Sequence, residues 1–586
     1  MNKPNPATRR RFLAQLAGGA LALGLRSATM SEAAPPGWPG GGYDRPGRYP
    51  KQSRSVTVAS GGMVATSHPL AALVGLDVLR AGGNAVDAAV AVNAMLGVVE
   101  PMSCGIGGDL FAIVWESSTG KLHGLNASGR APRRITIEEF RRRGLRYVPV
   151  EGPLSWSVPG CVAGWGDLLA RFGSKSLREL LAPAIHYAEQ GAPVPEVIAG
   201  YWRGAEASLR RWPHAARTYL PEGRAPRQGE VFRNPDLARS YRLIARDGPA
   251  AFYQGPITRQ IVQFSQEHGG FFTLEDFAQH RNEWVQPVST TYRDHQLWEL
   301  PPNGQGIAAL QMLNLLEAFD LKRFGFGSPE HVHLLVEAKK LAFADRARYY
   351  ADPAMAQVPV KQLISKEYAA ERRRLISMDR VLGDVEAGRV PPAGDTVYLT
   401  VVDRQRNCCS LIQSIYYGFG SKVVPGDVGF ALQNRGALFA LDPKHPNALA
   451  PGKRPFHTII PAMVTRSGRP VFCFGVMGGD MQPQGHVQVL VNLLDFGMNV
   501  QQAGDAPRVR HVGSPSPTGA PGQGSGTVLL ESGFSERTLR RLEELGHRVR
   551  RGSGGFGGYQ GIWIDWERGV LLGATEARKD GCALGY

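Results

Sequence analysis

Apolar positions between Pro69 and Leu96 follow a helical rhythm interrupted once. Ala71, Leu73, Leu76 and Leu79 recur after a proline suited to a first turn, and Gly82-Gly83 ends the run. Asn84 then offers a cap with Asp87 three residues on, and the stretch from Ala85 to Leu96 is apolar on nearly every side, which predicts a buried helix. Strand-like runs flank the pair: Ser55 to Ala59 and Gly61 to Thr66 before it, Leu110 to Trp115 after a bend at Cys104-Gly105-Ile106-Gly107-Gly108-Asp109. That bend lacks the Lys and Ser/Thr of a phosphate-binding loop, so it reads as a tight turn. Further on, Val471 to Gly475 predicts a strand that leads through Met477-Gly478-Gly479-Asp480 into a helix from Gln484 to Phe496.

The chain is organised around Gly394-Asp395-Thr396-Val397-Tyr398-Leu399-Thr400-Val401-Val402-Asp403, which follows a Pro391-Pro392-Ala393 break. A turn at Arg404-Gln405-Arg406-Asn407 separates it from a second β-rich run, Cys408 to Ile415, and together they predict a hairpin. With the turn centred on Gln405, partners lie equally far from it, which sets Thr396 opposite Ser414.

Composition places this hairpin in a large globular protein: 43% of the 586 residues are hydrophobic, yet no apolar run approaches the 20 or so residues of a membrane span. Thr8-Arg9-Arg10-Arg11-Phe12-Leu13, the mildly apolar stretch to Leu25 and the small residues Ala33-Ala34 read as a twin-arginine export signal over 1–34, which predicts a periplasmic or extracellular destination. A Pro/Gly-rich linker occupies 35–54, and folded structure is expected from about Ser55. Of the net charge of +16, the signal carries five cations against Glu32. The remaining excess has no basic stripe interleaved with aromatics, so nucleic-acid binding has the least support. Six cysteines in so long a chain do not make a disulfide scaffold, and neither they nor the histidines show metal-ligand spacing.

Several segments together resemble the heavy subunit of the γ-glutamyltranspeptidases: HPLAALVGLDVLRAGGNAVDAAVAVNAML, EPMSCGIGGDLF, SVPGCVAGW from Ser157, Tyr292-Arg293, Pro301-Pro302-Asn303-Gly304-Gln305-Gly306, and the helix EAKKLAFADRARYYADP from Glu337 to Pro353. The likeness resumes after Thr396 and runs to GATEARKDGCALGY. It implies a four-layer αββα sandwich of the N-terminal-nucleophile hydrolase type, made as one precursor and cut between Asp395 and Thr396 into a heavy subunit, 55–395, and a light subunit, 396–586. A dimer of such heterodimers is left open, and no cofactor is implied. Elementary chemistry fits the cut. A threonine hydroxyl is a poor nucleophile without a base, and cleavage creates an α-amino group of pKa about 7.7–8.0 on the same residue. The resemblance further implies that Ser414 orients the nucleophile and that Gly478 and Gly479 supply the oxyanion N–H groups.

The substrate-recognition positions depart from the transpeptidase pattern. Ser128 stands where the family has its carboxylate-clamping arginine, with Arg130 two residues on. Ala437 and Leu438 replace two acidic residues, His457-Thr458 replace a Ser-Ser pair, and Tyr416 replaces an asparagine. Without those carboxylates a glutamyl ammonium has no partner, whereas Arg130 and Arg435, with His457 and Thr458 beside them, offer sites for a lone carboxylate. The pattern resembles the branch that includes glutaryl-cephalosporin acylases. The short segment from Leu441 to Lys453 predicts an open site without a lid. The reading is an amide hydrolase with acyltransferase capacity acting on γ-glutamyl or other dicarboxylic-acyl amides. Glutathione hydrolysis proper is the first alternative, and an unprocessed exported binding protein is the second.

Overall fold

The computed structural model describes residues 52–388 and 398–586. Two antiparallel sheets face each other at its centre, each with seven strands among the described residues. One runs Cys582–Gly585, Met63–Thr66, Leu399–Val402, Cys408–Ser414, Asp109–Glu116, Lys121–Ala127, Glu283–Val285 in spatial order. The other runs Thr57–Ala59, Val570–Thr575, Gly558–Asp565, Arg469–Met477, Ala462–Arg466, His295–Glu299, Val288–Tyr292. Met63, Phe111, Tyr398, Ile412, Cys473 and Ile562 fill the space between them. Helix Ala85–Val99 covers the outer face of the first sheet, and Gly306–Leu316 and Met481–Leu494 cover the second, completing the αββα sandwich.

The central strands are buried on both faces, which is why every residue of Leu399–Val402 and Cys408–Ser414 is inaccessible. Their register is Leu399↔Leu411, Thr400↔Ser410, Val401↔Cys409 and Val402↔Cys408, symmetric about Gln405 as the spacing predicts. The turn is pinned by its own side chain. Asp403 Oδ1 accepts the Asn407 N–H at 2.9 Å, and Arg406 takes φ +65°. Asp403 Oδ2 also accepts the Ala85 N–H at 3.1 Å, so the hairpin turn helps cap the buried helix laid over it. Asn84 completes that cap, accepting from Val86 and Asp87 while Asp87 accepts from the Asn84 N–H.

Two helices differ from the sequence expectation at both ends. The helix expected from Glu337 begins at Pro329, where Ser328 accepts the His331 N–H, and ends at Tyr349 rather than Pro353. The one expected from Gln484 spans Met481–Leu494, starting directly at the glycine turn. Gln52, three residues before the expected start, is already tied to the fold, its carboxamide oxygen accepting from Asn499. All six cysteines are free thiols, five of them buried. Among the described residues no helix is long and apolar enough to cross a membrane. The export signal at 1–34, the linker up to residue 51, Asp395 and Thr396 lie outside the described residues.

Candidate active site

Strand Arg469–Met477 ends at Gly478 (φ +119°) and Gly479 (φ +62°), conformations that side-chain-bearing residues avoid. A methyl group on Gly478 would also meet the Gly557 Cα at 2.9 Å. The turn is braced from below. Gly479 O accepts from Gln305 Nε2 at 3.3 Å, and the buried Arg346 bonds both Gln305 Oε1 and Asp480 Oδ1 at 2.6 Å. Among the described residues neither the Gly478 nor the Gly479 N–H donates to an acceptor, and both glycines line a cleft of about 500 Å³. The cleft wall also contains Tyr416, two residues beyond Ser414. Ser414 Oγ accepts the Tyr416 N–H at 2.8 Å, in keeping with the φ of +77° at Tyr416.

Behind this wall lies a buried polar layer centred on Asp109, which pairs across the sheet with Ser414. Its Oδ1 accepts the Gly129 and Gly160 N–H groups at 3.0 Å and Gln433 Nε2 at 2.9 Å, and its Oδ2 accepts His457 Nε2 at 2.9 Å. The Ile459 N–H donates to His457 Nδ1, which fixes one neutral tautomer. Burial, with Arg435 adding to it, holds the His457 pKa down to about 3. Sequence reading treated Asp109 only as the end of a glycine bend. Its role follows from four donors arriving from distant segments, which no local pattern announces.

The recognition residues expected from sequence fall into different places. Arg130 does not line the cleft. Its guanidinium bonds Glu283 at 2.9 Å, Asp352 at 3.3 Å and Gly452 O at 3.2 Å. Arg435 is fully buried, donating to Thr458 Oγ1 with its guanidinium carbon 4.8 Å from the Tyr416 ring centre. His457 and Thr458 are equally buried, so these side chains form the floor beneath Tyr416 rather than an exposed clamp. Ser128 is buried too, donating to Asn126 Oδ1 at 2.6 Å. Leu438 packs into the core between the second sheet and its covering helices, and the turn Arg435–Leu438 carries no carboxylate. The segment after Leu441 folds back on itself through Ala440 N–Asn447 O and Leu449 N–Ala440 O bonds and stays out of the cleft. Sequence reading missed Tyr201, Lys422 and Lys579, which come to the cleft from three separate segments.

One cluster contradicts the absence of metal-type spacing: His333, Glu337 and His547 bring ligand atoms within 4.8 Å of one another. Its atoms are partly engaged with one another and with a cation of the chain. His333 Nδ1 and His547 Nε2 share a 2.7 Å hydrogen bond, and Lys340 Nζ sits 2.6 Å from Glu337 Oε1, where its charge opposes a cation.

Two facing antiparallel sheets sheathed in helices, with a glycine turn at the end of one central strand beside a serine-terminated neighbour, define an amide hydrolase and acyltransferase of the N-terminal-nucleophile class. More particularly, the chain belongs to the gamma-glutamyltranspeptidase family, whose model matches residues 71–586. It is 38% identical over 528 residues to the glutathione hydrolase-like YwrD proenzyme of Bacillus subtilis, covering 89% of this chain and 98% of that one. It is 37% identical over 542 residues to the oxamate amidohydrolase proenzyme of Klebsiella pneumoniae, covering 91% and 100%. Its structure matches that of a cephalosporin acylase from Bacillus halodurans with a TM-score of 0.85 and 44% identity, over 93% of this chain and 98% of that one.

Proposed function

We propose that the chain is exported by the twin-arginine route and cuts itself between Asp395 and Thr396, and that the mature enzyme hydrolyses amides of short dicarboxylic acids through a Thr396 acyl-enzyme. Thr396 Oγ1 attacks the amide carbonyl, and its own α-amino group takes the hydroxyl proton and passes it to the leaving amine. Ser414 orients the nucleophile. The Gly478 and Gly479 N–H groups receive the developing oxyanion. Water, or a second amine, then releases the acyl group.

The observation that carries this reading is the Gly478-Gly479 turn, braced by Arg346 and Gln305, whose N–H groups meet no acceptor among the described residues, on the wall of a cleft also lined by Tyr416, which donates its N–H to Ser414 Oγ. Support also comes from the hairpin register, whose described pairs, Leu399↔Leu411 to Val402↔Cys408, keep the symmetry about Gln405 from which the sequence spacing sets Thr396 opposite Ser414. The relatives called oxamate amidohydrolase and cephalosporin acylase are named for amide cleavage outside the γ-glutamyl class, in line with a turn at Arg435–Leu438 that bears no acid.

N-terminal sequencing of the smaller fragment tests the cut: Thr-Val-Tyr-Leu-Thr is expected, and an intact chain after prolonged incubation rules the mechanism out. Hydrolysis of glutaryl-anilide against γ-glutamyl-anilide tests the acyl group. A strong preference for the latter would favour glutathione-type substrates, a reading supported by the similarity to the Bacillus subtilis glutathione hydrolase proenzyme.

A further inference from the structure

The charged residues lining the cleft, among those described, are Lys422 and Lys579, and no Asp or Glu joins them. Lys422 follows the loop that begins at Tyr416 and has φ +66°, which commits the backbone to an unusual conformation at this position. Its ammonium is half-buried and has no carboxylate within ion-pair distance among the described residues. Burial lowers its pKa to about 8, with Glu151 opposing that shift and Arg211 reinforcing it. Lys579 is held differently. Its ammonium donates to the Tyr201 hydroxyl at 3.1 Å and lies 4.3 Å from the Tyr201 ring centre. The two arginines that sequence offered as carboxylate clamps are engaged elsewhere, Arg130 with Glu283 and Asp352, Arg435 beneath Tyr416.

A half-desolvated ammonium without a counter-ion gains more from an incoming carboxylate than a fully solvated one does. A ligand ammonium entering the same space would meet the like charges of Lys422 and Lys579, while the described lining offers it no carboxylate and Glu100, behind the lining residue Ser103, is buried. We propose that Lys422, with Lys579 lining the same cleft, is the specificity-determining group of this cleft and binds the free carboxylate of an amide substrate that bears no neighbouring ammonium. The proposal rests on the cleft beside Gly478 and Gly479 being the substrate site. It assigns to lysines a task the sequence had assigned to arginines.

The test is calorimetric binding to the purified full chain of two probes that differ by one charge, glutaramate with a carboxylate and glutaramide without. Glutaramate should bind at least tenfold more tightly, a difference of about 1.4 kcal/mol. Lys422→Met should remove that preference by weakening glutaramate alone, Lys579→Met should reduce it in part, and Lys422→Arg should restore most of it. Equal affinity of the wild type for both probes overturns the proposal. So does a Lys422→Met variant that keeps the preference, or one of unchanged melting temperature that loses both probes equally. Self-cleavage and anilide turnover, followed on the same preparations, report on Thr396 and the glycine turn. Charge-selective binding without turnover would remove the catalytic reading alone, and turnover without charge selectivity would remove this one alone.

Discussion

Asp109 Oδ2 accepts a 2.9 Å hydrogen bond from His457 Nε2, with both side chains wholly out of solvent. The pair joins the floor of the cleft to the strand that faces Ser414. Asp109→Asn would turn an amide N–H or a neutral oxygen toward groups that now donate to a carboxylate. A loss of about 2–3 kcal/mol is expected, read as a lower denaturation midpoint. An unchanged midpoint would show that the layer repacks around the amide.

Acid should destabilise the fold earlier than carboxylate titration alone predicts. Burial holds His457 and His331 down to about 3 and His68 to about 4, below the ordinary 6.5. The unfolded chain therefore takes up these protons first as pH falls. Stability is full above about 6.5 and declines from there toward the folded-state values. Melting temperature should drop steadily between pH 6.5 and 4, and a flat profile over that window would contradict the burial of these rings.

Thr396→Ala should leave one uncut chain and no turnover, since it removes the nucleophile of both reactions. Ser414→Ala should slow cutting and turnover without abolishing either, by about 10²-fold if the hydroxyl takes part in proton transfer. Gel densitometry over time distinguishes the two variants. A Ser414→Ala protein that cuts at the normal rate would reduce this serine to the bond it makes with the Tyr416 N–H.

Gly478→Ala should lower kcat by about 10²–10³, the usual cost of losing an oxyanion donor. Its φ of +119° and the 2.9 Å approach to Gly557 leave no room for a methyl group without rotating the turn. KM should change much less, because the ground-state carbonyl depends less on that donor.

Arg346→Lys keeps the charge but loses the fork that holds Gln305 and Asp480 together. About tenfold lower kcat is expected with KM nearly constant, as the glycine turn loosens. Equal changes in both constants would instead mean that Arg346 shapes substrate binding.

Much of this architecture was legible in the residues. The Asn84–Asp87 capping box, the buried Ala/Val helix and the Gln405-centred register are local, and each appears where spacing placed it. The site was legible where backbone conformation sets it, since a glycine pair at a strand end signals a special turn. It was not legible where long side chains choose among distant partners. Arg130 and Arg435 carry the right charge, yet Glu283, Asp352 and Tyr416 lie 19 to 222 residues away, and nothing near the arginines predicts the pairing. Lys422 and Lys579 escaped notice for the same reason.

The strand order has one more consequence. Met63–Thr66 lies between Cys582–Gly585 and Leu399–Val402, while Thr57–Ala59 edges a run of four strands from beyond residue 460 that meets His295–Glu299 on its far side. A break at 395/396 would thus leave two polypeptides woven through both sheets, inseparable without stripping main-chain hydrogen bonds from each. The mature enzyme would behave as a nicked single body: durable while intact, but dependent on a continuous precursor for its assembly, so that pieces parted in denaturant should fail to rejoin where the uncut Thr396→Ala chain refolds.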